Sequence, residues 1–319
     1  MATAAFRVRF PVALAIVLLL AGCRDAEDAP PPARPAPTPE AAVHRLLDDL
    51  RRDDLGAYAV HALPPDLYAR TDAAWRAGHS RWPLSELPLA RHLPAAIDRL
   101  AAPGAEALLR RGYRQQFAGA RAEVRTAART LALFARQMLE RSPDMPAAER
   151  AHRLQQVAAL AAWADTARLA DAGRVEPLLP GLVRAARATH LAGGDAAWSQ
   201  AGLHRSLTRL RPALREGKRA LATLGLDVDA ALRSVRMERV TGTADSARLR
   251  LRYTLAGRPV VAELDLVRRP EGWFLADSLR HAQAALPSAA GPGGRVGHNA
   301  DDGPAPADAP ALPGRPAAR

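Results

Sequence analysis

The sequence predicts an α+β protein that is mostly helical, with a helical region followed by a small antiparallel β-meander of three or four strands. Over most of residues 40–234, apolar residues recur every three or four positions, as they do on one face of an α-helix. From Val235 the apolar period changes to two, which is typical of half-buried strands. We therefore expect helices in 40–234 and a meander packed on them in 235–285.

The helical region opens with two short antiparallel helices. Residues 43–50 have apolar side chains at helical spacing, and Asp54 is placed to cap a second helix. Pro64 and Pro65 end that second helix.

A long helix is predicted from Glu106 to Arg141. Its predicted inner face consists of Leu109, Tyr113, Phe117, Ala120, Val124, Leu131, Phe134 and Met138. Beside that face runs an arginine stripe that includes Arg110, Arg114, Arg121, Arg125, Arg129 and Arg136. The stripe is either a solvated face that meets acidic neighbours or an anion-facing surface.

Proline and glycine divide the rest of the helical region. The segment Ser142–Pro146 breaks the long helix, and the next helix runs towards Gly173. Further helices are expected near 175–192, 196–216 and 217–234, with Pro177, Pro212 and Gly225 among their boundaries. Alanine-rich helices pack closely, so we expect little room for a deep pocket.

The two central strands of the meander allow a register to be predicted. With Gly257 and Arg258 as the loop, the inward pairs are Leu255 with Val260, Tyr253 with Ala262, Leu251 with Leu264 and Leu249 with Leu266. On the outer face, Arg252 then meets Glu263 and Arg250 meets Asp265. The strands 235–241 and 273–277 are expected on either side.

The N-terminus has the order of an export signal. Two arginines, an apolar run from Phe10 to Leu20 and a small pair precede Cys23, which is the only cysteine. The apolar run is too short to be a permanent membrane span. Leu20-Ala21-Gly22-Cys23 resembles the lipobox of bacterial lipoproteins. The resemblance implies diacylglycerol on the Cys23 thiol, cleavage before Cys23 and acylation of the freed amine.

The resemblance also implies a location and a first partner. Residues 1–22 are the signal peptide, and residues 23–39 are the lipidated cysteine with a Pro-rich tether. Acylated Cys23 would hold the protein on a lipid bilayer. Arg24 stands where the enterobacterial pattern for retention at the inner membrane has Asp, which favours the outer membrane facing the periplasm. Residues 286–319 are rich in Pro, Gly and Ala and are expected to be disordered.

An opening helix pair, a late meander and a final Gly-Trp strand resemble the cystatin-like or NTF2-like domains found in many bacterial lipoproteins. This resemblance covers about 25 residues at the start of the domain and about 45 at its end. About 170 helical residues between them depart from that family, so its ligand pocket is not carried over to this chain.

Composition narrows the classes of partner. The formal net charge is +12, and it falls to +10 when Arg7 and Arg9 are removed with the signal. Aromatic residues make up only 4% of the chain, and export separates it from the genome, so nucleic acid is not expected as a partner. An envelope protein or an anionic glycolipid remains a candidate partner for the arginine clusters.

No local motif for catalysis, a cofactor or a metal is present, so no residue is assigned to such a site. The adjacent pair His79-Ser80 and the acidic run Asp48-Asp49 with Asp53-Asp54 are interpreted as structural. The sequence therefore predicts a membrane-anchored envelope lipoprotein that binds protein or polyanion without catalysis. The alternative is an envelope enzyme, for example a hydrolase of cell-wall material, whose site is assembled only by the fold.

Overall fold

The computed structural model describes residues 35–87, 90–143 and 145–287, which belong to one compact unit. Its helices are α1 (Pro39–Arg51), α2 (Leu55–Ala62), α3 (Pro65–Arg76), α4 (Leu93–Ala101), α5 (Ala105–Gln116), α6 (Arg121–Glu140), α7 (Ala147–Thr166), α8 (Ala172–Val175), α9 (Leu179–Ala188), α10 (Gly194–Arg209), α11 (Arg211–Thr223), α12 (Val228–Arg233) and α13 (Ala276–Ala284). The strands are β1 (Arg236–Gly242), β2 (Ser246–Leu255), β3 (Arg258–Arg269) and β4 (Gly272–Leu275). The predicted mostly helical α+β class is confirmed.

The opening helix pair forms as predicted, with the predicted cap at Asp54 and a further cap at Thr38, which was predicted to lie in the tether. The hydroxyl of Thr38 accepts a hydrogen bond from the backbone N–H of Ala41 at 3.1 Å, and Pro39 occupies the first turn of α1. The carboxylate of Asp54 accepts from the N–H of Ala57 at 2.9 Å and caps α2.

The folded part is slightly longer at both ends than the predicted boundaries. Ala36, placed in the tether by sequence, is buried against the sheet beside Gly272. Leu286, placed in the tail, packs against the larger core cluster. Residues 1–34, which hold the predicted signal and Cys23, and residues 288–319 lie outside the described residues.

The prediction of one long helix over Glu106–Arg141 is wrong. The chain forms α5 and α6 with a break at residues 117–120, where Gly119 has a φ of 82°. This left-handed conformation is accessible to glycine and ends a helix. The N–H of Gly119 donates instead to the carbonyl of Ala170 at 2.9 Å.

The predicted division at residues 216 and 217 is also misplaced. Helix α10 ends at Arg209 and α11 begins at Arg211, so Gly217 lies inside α11. Pro212 stands in the first turn of α11, where its missing N–H costs no helical hydrogen bond.

The sheet is an antiparallel meander in the order β1-β2-β3-β4. The predicted register between its central strands is wrong by two residues, because the loop is Ala256-Gly257 and Leu255 pairs with Arg258. Both loop residues have positive φ, 50° and 76°, as a type I′ hairpin turn requires.

A shift of two residues keeps every side chain on its predicted face but changes the partners. The inward pairs are Tyr253 with Val260, Leu251 with Ala262, Leu249 with Leu264 and Ala247 with Leu266. On the outer face, Arg250 pairs with Glu263 at 2.9 Å and Arg248 with Asp265 at 2.7 Å. Arg252 binds Glu238 of β1 instead of Glu263.

The predicted final strand over residues 273–277 is too long. Strand β4 ends at Leu275, and Ala276 and Asp277 form the first turn of α13. An acidic residue is favourable at this end of a helix, because it faces the positive end of the helix dipole.

Two buried clusters hold these elements together, and α1 lies between them. One face of α1, with Ala42 and Val43, packs on the inner face of the sheet. Leu46 belongs instead to the larger helical cluster, in which the rings of Trp75 and Trp198 stack with centroids 6.4 Å apart. The sheet and the helical region are therefore joined through α1.

The β2-β3 turn gives a direct test of the observed register. Ala256→Asn should stabilise the protein by about 0.5–1 kcal/mol, because Asn tolerates a left-handed conformation better than Ala. Gly257→Ala should destabilise it by about 1 kcal/mol, although no atom lies within 4 Å of the added Cβ. Chemical denaturation measures both changes, and a loss of stability in Ala256→Asn would contradict this turn.

Candidate interaction surface

Helix α7 lies along the part of β3 that has no strand neighbour beyond β2. Strand β4 pairs only with residues 266–269 of β3. Farther along this edge, the side chain of Gln155 accepts a hydrogen bond from the N–H of Val261 at 2.9 Å and donates to its carbonyl at 3.2 Å. Gln155 thus makes the two bonds that a neighbouring strand would make and covers an edge that could otherwise pair with another chain.

Further polar contacts fix the opposite ends of α7. His152 Nε2 lies 2.9 Å from the hydroxyl of Tyr253, and Gln156 donates to the same hydroxyl at 2.9 Å. Burial lowers the pKa of His152, so its neutral form is favoured. Trp163, near the end of α7, donates to the carbonyl of Leu224 at 3.0 Å.

Helix α6 packs on the outer side of α7 and has no buried residue along its whole length. The α7-facing side of α6 is half-buried and formed mostly by small residues, namely Val124, Ala128, Ala132, Ala135 and Leu139. The predicted inner face is therefore wrong for Phe117, Leu131, Phe134 and Met138, all of which are exposed. Periodicity identified an apolar face, but the described structure places no core against it.

We use the term α6 seam for Ala127, Leu131, Phe134 and Met138. Leu131 is 66% exposed, and Phe134 and Met138 are each 58% exposed. Helices α6 and α7 run antiparallel, and Arg129 of α6 binds Asp165 of α7. Five residues along each helix from this ion pair, Phe134 of α6 lies at the same level as Leu160 of α7, which is 39% exposed. Contiguous exposed apolar side chains of this size are typical of interaction sites.

Most of the predicted arginine stripe is paired with carboxylates of the same chain. Arg110 contacts Glu106 and Glu176, Arg114 binds both oxygens of Glu176, Arg129 binds Asp165 and Arg136 binds Glu140. The bond with Arg114 lowers the pKa of Glu176. These contacts favour the interpretation of a solvated face that meets acidic neighbours.

Arg121 and Arg125 differ from the other four, because the described residues include no ion-pair partner at salt-bridge distance from either. They line an open groove of about 170 Å³ together with Asp165 and Asp171. A second groove, of about 390 Å³, lies between α6 and α7 and is lined by Leu133, Arg136 and Leu154 among others. Both are surface grooves on the side of α6 away from the α6 seam.

Two histidine–carboxylate pairs come from the fold and were not found by sequence. His61 Nδ1 lies 2.7 Å from Oδ2 of Asp49, whose side chain is fully buried and also binds Arg52. The cavity beside His61 is only about 30 Å³, about the size of one water molecule. His281 Nδ1 lies 3.3 Å from Glu86. His61 and Asp49 are 12 residues apart on two different helices, and His281 and Glu86 are much farther apart in sequence, so no local motif indicated either pair.

The sequence candidates for catalysis have structural roles. Ser80 is buried and its hydroxyl accepts from the N–H of Trp82 at 3.2 Å, whereas His79 is exposed. The acidic run is also paired: Asp48 binds Arg51, Asp49 binds His61 and Arg52, Asp53 binds Lys218, and Asp54 binds Arg211 in addition to capping α2.

Within residues 35–87, 90–143 and 145–287, no group of His, Cys, Asp or Glu is arranged to hold a metal ion. The helices in these ranges include none with the length and apolar character needed to cross a bilayer. Comparisons with protein-family models, curated proteins and solved structures find no match for this chain.

Removing the side-chain amide of Gln155 tests its role at the edge of β3. Gln155→Ala should lower the free energy of unfolding by about 1–2 kcal/mol, because it leaves the N–H and carbonyl of Val261 without these partners. Hydrogen exchange at Val261 should become faster. Gln115→Ala on the exposed side of α5 is the matched control and should change stability by less than about 0.5 kcal/mol. Unchanged exchange at Val261 in Gln155→Ala would contradict the assignment.

His152 should make stability depend on pH. Its pKa is lowered in the folded protein, so the unfolded chain takes up this proton first when the pH falls below about 6.5. The stabilising effect of neutral His152 is complete above that pH and is lost as the pH falls through the lowered pKa. Unfolding measured at pH 7 and pH 5 should show a smaller loss in His152→Gln than in the wild type. Equal losses would show that His152 does not contribute.

Proposed function

We propose that this protein is a lipid-anchored lipoprotein of the bacterial cell envelope that acts by binding another macromolecule through the α6–α7 hairpin. The observation that carries the binding role is the α6 seam, where three large apolar side chains are more than half exposed. Leaving such side chains in water is unfavourable, and their contiguity is typical of a contact surface.

The anchoring half of the proposal rests on the lipobox-like tetrapeptide before and including Cys23. Residues 24–34, if extended, would reach about 35 Å from the lipid to the first described residue. This distance would keep the folded unit close to the bilayer. The ion pairs of the arginine stripe favour a protein as the binding partner over a polyanion, since most of these guanidinium groups already have carboxylate partners.

An envelope hydrolase is the second candidate, and its support is the His61–Asp49 pair. A buried carboxylate that holds Nδ1 of a histidine is an arrangement used to orient a general base. Against it stand the water-sized cavity and the lack of any hydroxyl bonded to His61 among the described residues. Turnover of cell-wall material that is lost in His61→Gln but retained in His79→Gln would favour this candidate.

The anchor is tested by metabolic labelling with palmitate and by membrane fractionation of the full-length chain. The wild type should carry the label and sediment with membranes, whereas Cys23→Ser should carry no label, because it lacks the thiol that receives the lipid. Arg24→Asp is the matched control, which should keep the label and move from the outer to the inner membrane. A labelled, processed Cys23→Ser chain would contradict lipidation at this residue.

A further inference from the structure

We infer that the α6 seam binds the α6 seam of a second copy of this chain, as an antiparallel helix pair related by a two-fold axis. The inference rests on the binding surface proposed above and names its partner. It does not depend on the lipid anchor.

The spacing of the seam matches that of a helical partner. Together with Val124, the seam residues follow one another at intervals of three, four, three and four, which is the a/d pattern of a coiled coil over two heptads. Such side chains interlock with a second helix that has the same spacing. The small-residue side of α6 is already occupied by α7, so α6 has two neighbouring apolar sides, as a helix inside a four-helix bundle does.

The charges around the seam favour a second copy over an anionic membrane. Thr130 and Gln137 border the seam and are uncharged, so two copies can approach without repulsion along most of its length. The arginines of α6 lie on the far side of the helix, and two of them bind carboxylates. Glu123 borders the seam and would face an anionic lipid surface unfavourably.

The same charges select the antiparallel orientation. If the axis passes between residues 132 and 133, Leu131 of one copy meets Phe134 of the other, and Ala127 meets Met138. Glu123 then comes close to Arg141 of the second copy. A parallel pair would instead leave Glu123 and Arg141 at opposite ends of the contact, about 27 Å apart along the helix axis. A two-fold contact of this kind is closed and requires only one surface.

The available area is sufficient for a specific contact. Helix α6 is about 30 Å long, and a contact that also includes the exposed side of α7 with Leu160 is two helices wide and covers about 600 Å² in each copy. Two copies would therefore bury about 1,200 Å², the lower end of the range for specific interfaces.

Thiol cross-linking of the full-length chain in cells tests this pairing. Thr130→Cys combined with Gln137→Cys places two thiols along one border of the seam, where the antiparallel pair brings residue 130 of one copy close to residue 137 of the other. A short bis-maleimide should give a species of twice the mass of the monomer found in the same cells. Arg129→Cys combined with Arg136→Cys has the same spacing on the opposite side of α6 and should give no such species.

A matched pair of substitutions distinguishes the effect of a charge in the seam from the effect of a charge at any exposed apolar residue of α6. Phe134 and Leu133 are both 58% exposed and adjacent in sequence, but Leu133 lies outside the seam. Added to the cross-linking chain, Phe134→Glu should lower the dimer yield about tenfold or more, whereas Leu133→Glu should change it less than about twofold.

Three results would overturn the inference. The first is no dimer from a chain that is present at normal levels. The second is a cross-linked species with another mass, which would mean that a different protein binds the seam. The third is a thiol at residue 130 that reacts only after detergent is added, which would mean that the seam is buried in lipid. Membrane fractionation of the same samples distinguishes failure of the lipid anchor from failure of the dimer. If the chain no longer associates with membranes but still cross-links, only the anchor is contradicted.

Discussion

The short length of β4 determines how the helical hairpin is attached. Because β4 pairs only with residues 266–269, the N–H and carbonyl of Val261 face a helix, and Gln155 of α7 bonds to both. Tyr253 receives further bonds from the same helix. With one side of α7 committed to the sheet, α6 can pack only on the outer side, away from both core clusters. The exposure of the α6 seam follows from this order of layers.

Electrostatic pairing removes part of the free positive charge that a strongly basic chain would otherwise present on and beside this hairpin. Arg114, Arg129 and Arg136 each bind a carboxylate on the same or a neighbouring helix, and the outer face of the sheet repeats the pattern with Arg248 and Arg250. Exposed pairs of this kind contribute only a few tenths of a kcal/mol each, so they influence orientation more than stability. The apolar seam and the two arginines Arg121 and Arg125 are therefore the features of α6 that lack a partner within the described chain.

Local chemistry in the sequence predicted the fold class, the opening helices and the faces of the sheet, because capping residues and apolar periods act over a few positions. The turn was misplaced by one position, because a shift of two residues in the register keeps every side chain on its face and still places an arginine opposite each carboxylate. The positive φ of Ala256, which belongs to the observed turn, is not evident from an alanine in the sequence. Burial of Phe134 was predicted wrongly because periodicity shows that a helix has an apolar face without showing what covers it. The His61–Asp49 pair depends on the contact between α1 and α2 and has no local signal.

The central claim is that, among the described residues of a single copy, α6 is held mainly by α7, and that it gains a second contact from another copy. Hydrogen exchange of the full-length chain, measured for α6 and α7 at low and at high protein concentration, tests this most directly. The account predicts that the amides of α6 exchange faster than those of α7 in dilute protein and become slower as the concentration rises, while those of β3 do not change. Protection of α6 equal to that of α7 in dilute protein, or exchange independent of concentration, would contradict it.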